Sequence, residues 1–177
     1  MRIKVIPPVA VSTLFLIFAL CTKPHQQFRP DNSAIAKIGW ACHRTITSQQ
    51  DSSGNYLEVI THSTKVSYPG ISVPWLIGSI ADLDSVHILF SSRQNSKPFT
   101  LLLWDGIGEM NSENRLEFSC IPTHGGIDTL RVDIGNNRRT PSGRELDLKR
   151  IKIAVLYTWG VDVPYAFCLY DIRCFYR

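Results

Sequence analysis

The chain has 177 residues, 44% of them hydrophobic and 19% charged. That is the composition of a globular domain with enough residues for one core, and it excludes a disordered or low-complexity chain. Half of the formal charge of +4 belongs to residues 1–21, which hold Arg2 and Lys4 and no acid; what remains is too small and too scattered to neutralise a run of phosphates, so nucleic acid is excluded as a partner.

Met1–Lys4 is short and basic, and Val9–Cys21 is a continuous apolar run softened only by Ser12 and Thr13. This is the pattern of a secretory signal, and it is short for a helix that crosses a bilayer. Ala19-Leu20-Cys21 offers a cleavage site and polar chain follows, so a mature product beginning near Thr22 is expected. An uncleaved anchor and a lipidated Cys21 are the alternatives, the second disfavoured by the bulk of Leu20 before the cysteine. The expected location is periplasmic or extracellular, with membrane contact only through this segment. The expected division is 1–21 signal peptide or anchor, 22–34 linker and 35–177 folded domain. The linker rests on the polar, proline-containing stretch KPHQQFRPDNS.

Ile35–Ile46 opens the folded part, with Trp40 and Cys42, and QQDSSGN at 49–55 is a turn cluster. Tyr56–Thr61 and Thr64–Ile71 are expected to be strands. Val86, Ile88 and Phe90 alternate with His87 and Leu89; after the turn SSRQNSK, Phe99, Leu101 and Leu103 alternate with Thr100, Leu102 and Trp104. Asp105–Asn114 is a polar loop. Leu116, Phe118 and Cys120 form a strand stopped by Pro122, and Leu130, Val132 and Ile134 the next. Ile151, Ile153, Val155 and Tyr157 alternate with Lys152, Ala154 and Leu156, which predicts a strand with the isoleucines and Val155 in the core. Gly160, Asp162 and Pro164 break it. In the closing run Tyr165–Cys174, Phe167 and Leu169 share one face, but their continuation is Ile172 and Cys174, a shift of one residue at Tyr170–Asp171. A β-bulge there is predicted. Short strands at regular spacing without an amphipathic helix predict an all-β antiparallel sandwich.

No catalytic motif is present: there is no G-x-S-x-G, H-E-x-x-H or Walker loop, and the histidines lack metal-ligand spacing. Asp82-Leu83-Asp84 reads as a polar turn before a strand. No enzyme, metal or cofactor is expected. Cys42, Cys120, Cys168 and Cys174 are disulfide candidates in an exported chain, and sequence leaves their three pairings open. Parity across the bulge sets Cys168 and Cys174 on opposite faces, against pairing with each other; Cys42 with Cys174 is preferred, as first and last strands of such a sandwich often neighbour.

The run P-S-G-R-E-L-D-L-K-R-I at 141–151, the aliphatic strand after it and F-x-L-x-D-I-R at 167–173 resemble the last part of a carbohydrate-binding-module-like β-jelly roll of the galactose-binding-like class. The form they are most similar to is a domain appended to VanZ-like bacterial membrane proteins. Tyr68-Pro69-Gly70-Ile71-Ser72 resembles its early strand, Pro98–Gly106 its central one, and Asn114–Gly126 and Thr129–Ile134 the next two, so the likeness spans roughly 56–174. Two places depart: Tyr170-Asp171-Ile172 stands for the usual Asp-Asp-Ile, and Ser79-Ile80 lies near the place of a missing Asp-Trp. The resemblance implies a non-catalytic carbohydrate-binding or glycan-associated module of the bacterial envelope; the alternative is a structural sandwich that binds an envelope protein. With Tyr170 in place of a carboxylate, no tight calcium site is expected near Asp171.

A sugar ring presents apolar faces that exposed aromatics cover, with carboxylates and arginines beside them for the hydroxyls. Trp104 and Trp159 end strands at loops holding Asp105 and Asp162, and Arg138 and Arg139 sit in the next polar loop. These six are the candidate ligand-binding residues. Trp40 and Trp75 are assigned to the core, and Arg144 and Glu145 are expected to form a polar pair that ties their loop down.

Overall fold

The computed structural model describes residues 28–38, 44–62, 70–92, 97–123, 125–161 and 164–177. The leader, Trp40, Cys42 and Asp162 lie outside them, so the expectations placed there are not addressed. In chain order the elements are α1 (Asn32–Lys37), β1 (Arg44–Asp51), β2 (Gly54–Thr61), β3 (Gly70–Ser72), β4 (Leu83–Ser92), β5 (Phe99–Trp104), β6 (Leu116–Cys120), β7 (Asp128–Asp133), β8 (Ile153–Thr158) and β9 (Tyr165–Tyr176), with short 3-10 turns at Pro74–Leu76 and Ser112–Asn114. The strands form two antiparallel sheets, β1-β2-β9-β4-β7 and β3-β8-β5-β6. This is the expected two-layer sandwich. No helix among the described residues is long and apolar enough to cross a membrane.

On β4 and β5 the inner faces carry the residues that alternation assigns to them. Leu57 and Val59 on β2, Val86, Ile88 and Phe90 on β4, and Phe99, Leu101 and Leu103 on β5 are fully buried. Phe90 stacks on Phe99 with centroids 4.0 Å apart, and Phe167 meets Phe99 edge-on at 5.1 Å. Three rings from both sheets therefore lock the layers at one point.

Two local features follow the sequence closely. Asp171 pairs with Leu89 while Leu169 pairs with Phe90, which leaves Tyr170 as the extra residue of a bulge. Tyr165, Phe167 and Leu169 before it, and Ile172 after it, all point into the core. The turn cluster at 49–55 is tighter than its composition implied. β1 runs through Asp51, and only Ser52 and Ser53 connect it to Gly54, whose φ of 123° suits glycine. The Asp51 carboxylate accepts the Ser53 N–H at 2.7 Å and fixes the reversal.

Three expectations are corrected. The linker expected over 22–34 is folded from Phe28 onward: Phe28 is buried and packs edge-on against Trp75 at 4.9 Å. Asp31 caps α1 by accepting the N–H groups of Ser33 and Ala34, so its carboxylate and the short helix belong to the domain. The inner face of β8 is also the opposite of the one expected. Ala154, Leu156 and Thr158 are buried between the sheets, whereas Ile153 and Val155 are half-buried and face outward. Leu103 pairs with Ala154 and Leu101 with Leu156, so the inward leucines of β5 carry the even residues of β8 inward with them. Last, Cys120, Cys168 and Cys174 form no disulfide among the described residues. Burial pushes the thiols of Cys120 and Cys174 up to about 11, which leaves both protonated and unreactive at neutral pH.

Candidate ligand-binding groove

Turning β8 over has a consequence on the outside of the four-stranded sheet. The strand is apolar on both faces, so with Ala154 and Leu156 inside, Ile153, Val155 and Tyr157 form a stripe on the outer face. Cross-strand register extends the stripe into rows. Ser72, Val155, Leu102 and Glu117 lie side by side across β3, β8, β5 and β6, and the next row is Gly70, Tyr157, Thr100 and Ser119. A Cβ on Gly70 would meet the Leu156 carbonyl and the Tyr157 Cβ, so the glycine is what lets β3 lie this close to Tyr157.

This face is walled rather than flat. Pro74 and Ile77 stand along one side, Met110 from the β5–β6 connection stands at one end, and Lys37 of α1, Arg115 and Lys152 complete the lining of a groove of about 700 Å³. Its floor is Leu102, Ile153, Val155 and Tyr157. Ile77 and Met110 stay 44% and 50% exposed, which makes the rim apolar as well. The Tyr157 hydroxyl donates to Glu117 Oε1 at 3.0 Å, and Arg115 Nη2 holds the same oxygen at 2.6 Å. Tyr157 is thus oriented by a neutralised carboxylate.

The end of the groove is positioned by a buried ion pair. The Asp105 carboxylate is inaccessible and accepts four hydrogen bonds: Arg144 Nη1 at 2.6 Å, Arg144 Nη2 at 3.1 Å, and the N–H groups of Asp147 at 2.8 Å and Ile107 at 3.1 Å. Arg144 Nη2 also donates to the Asn114 carbonyl. One carboxylate therefore ties the 105–115 connection, with Met110 and Arg115, to the segment around Arg144. Burial alone pushes the Asp105 pKa up, but the Arg144 and backbone hydrogen bonds outweigh it and hold the group below its ordinary value of 3.8.

The sequence-derived site residues fall apart accordingly. Asp105 has no lone pair left for a ligand, and its role is structural; Arg144 takes Asp105 as its partner in place of the expected Glu145, which is exposed. Arg138 lines a separate cavity of about 310 Å³ with Glu145 and Asp147, away from the groove, and Arg139 donates to the Gly143 carbonyl of its own hairpin. Trp159 is 55% exposed; Trp104 is half-buried on the outer face beside Ile153. The two tryptophans do not form one platform, because six residue steps along β8 and its exit separate Ile153, the neighbour of Trp104, from Trp159, roughly 20 Å of strand. Ile153 and Val155 were missed because the wrong face of β8 was assigned to the core, and Leu102 because nothing in the sequence shows that the outer face of β5 borders a groove. The one signal for Ile153 and Val155 was that β8 is apolar on both faces.

Compared with solved structures, the chain is similar to the family 11 carbohydrate-binding module of a cellulosomal cellulase of Clostridium thermocellum, at 15% identity and a TM-score of 0.51, covering 85% of this chain and 95% of that one. The fold is that of a carbohydrate-binding module. A second structure of a family 11 module from that organism, in complex with a β-1,3-1,4-mixed-linked tetrasaccharide, is similar at 15% identity and a TM-score of 0.54, covering 84% of this chain and 93% of that one. A part of an exo-β-agarase is similar at 13% identity and a TM-score of 0.51, over 76% of this chain and 23% of the enzyme. No protein-family model and no curated protein matches, so the likeness to the domain of VanZ-like proteins rests on the sequence motifs alone.

Proposed function

We propose that the chain is a non-catalytic carbohydrate-binding module of the bacterial envelope, exported by its leader, and that its ligand lies along the outer face of the β3-β8-β5-β6 sheet. The observation that carries this reading is the outward apolar stripe Ile153, Val155 and Tyr157 at the bottom of a walled groove. Ile153 and Val155 stay only half-buried there, and apolar surface left in water costs roughly 25 cal/mol per Å², which a ligand lying in the groove recovers. Sugar rings have apolar faces that cover such a floor, while Ser72 and the Tyr157–Glu117–Arg115 chain offer partners for hydroxyls. The ligand in the structure of the similar family 11 module, a β-1,3-1,4-mixed-linked tetrasaccharide, is the first to try.

The test is a glycan array with the full chain, followed by two variants. The double change Ile153→Ser with Val155→Ser is expected to weaken binding of any hit by tenfold or more, about 1.4 kcal/mol, because it wets the floor. Trp159→Ala, at an exposed position off the groove lining, is the control and is expected to leave both the affinity and the melting temperature nearly unchanged. Retention of no glycan by the full chain would overturn the proposal. The other reading, a sandwich that docks an envelope protein, draws on the exposed rim residues Ile77 and Met110.

A further inference from the structure

We infer that the groove selects an acidic oligosaccharide, one carrying carboxylate or sulfate groups, over a neutral one; this rests on the reading of the groove as a glycan site. Three of its lining residues are cations, Lys37, Arg115 and Lys152, and none is a carboxylate. They come from three distant parts of the chain: the end of α1, the entry to β6 and the entry to β8. The fold, not a local run of basic residues, brings them round one apolar floor. The nearest acid, Glu117, is already neutralised by Arg115 at 2.6 Å and by the Tyr157 hydroxyl at 3.0 Å. Lys37 and Lys152 have no carboxylate partner among the described residues, so the groove keeps a positive field.

Charge complementarity therefore joins the apolar floor in defining the ligand: rings on Leu102, Ile153 and Val155, with acidic substituents toward Lys37, Arg115 and Lys152.

The experiment uses the full chain and matched pairs of probes by calorimetry: oligogalacturonate against its methyl ester, and a sulfated galactan oligosaccharide against the unsulfated one. At least one acidic member is expected to bind more tightly than its neutral partner and to lose affinity as salt rises from 50 to 500 mM. The double variant Lys37→Gln with Lys152→Gln, both exposed lysines, is expected to lower that affinity roughly three- to tenfold and leave the melting temperature unchanged. Equal binding of acidic and neutral partners, or an unchanged affinity in the double variant, would overturn the charge selection while leaving a glycan site in place. Binding of neutral probes only would do the same. Binding of anionic phospholipid vesicles but of no saccharide would overturn both readings.

Discussion

Replacing Asp105 by Ala is expected to destabilise the domain by about 3 kcal/mol, measured by urea unfolding. The carboxylate is wholly buried and accepts four hydrogen bonds, so its loss leaves Arg144 and the Asp147 and Ile107 amides without their acceptor. The figure is at the low end for a broken buried pair because the Arg144 side chain keeps 25% of its exposure and water reaches it. The pH dependence has a definite sign. Asp105 holds a folded-state pKa below its ordinary 3.8, through Arg144 and the backbone amides working against burial. Its stabilisation is complete above that ordinary value and is lost as pH falls through the lower folded value. Asp31 and Asp133 are also lowered, by side-chain and backbone hydrogen bonds, and contribute acid sensitivity in the same direction. Comparison with Asp105→Asn isolates the one group: the gap between wild type and variant should be constant near neutrality and shrink in acid. A loss below 1 kcal/mol for Asp105→Ala, or a gap that widens as pH falls, would show that the pair does not clamp the loops.

The second large effect is a comparison within one strand. Leu156→Ala should cost about 2–5 kcal/mol, because Leu156 is fully buried between the sheets and its removal leaves a cavity. Ile153→Ala should cost about 1 kcal/mol, since Ile153 is half-buried in the floor of an open groove and water fills the space. Urea unfolding of both variants gives the ratio. Equal losses, or a larger one at Ile153, would restore the odd residues of β8 to the core and remove the floor of the proposed site.

These two tests bear on the places where reading along the chain reaches its limit. For β4 and β7, alternation names the inner face correctly because polar residues mark the outer one: His87 and Arg131. For β9 the parity slip was itself informative, since a one-residue shift in an apolar pattern has one simple cause, and Tyr170 is the extra residue. In β8 both faces are apolar, and choosing the bulkier set of Ile153, Val155 and Tyr157 over Ala154 and Leu156 put the strand in backwards. Likewise Asp105 and Arg144, 39 residues apart, each had a plausible role alone and acquired their shared one only by contact.

By itself the sequence determined the local things: where most of the strands lie, where a bulge re-aims one of them, and that the domain is an antiparallel sandwich. These depend on side-chain period and turn chemistry within a few residues, which one chain carries in full. The tertiary structure alone decided which apolar face of β8 meets water and which cations surround it. A strand that is apolar on both sides takes its orientation from the register of its neighbours, and here the inward leucines of β5 turn Leu156 in and leave Ile153 and Val155 as the floor of a groove.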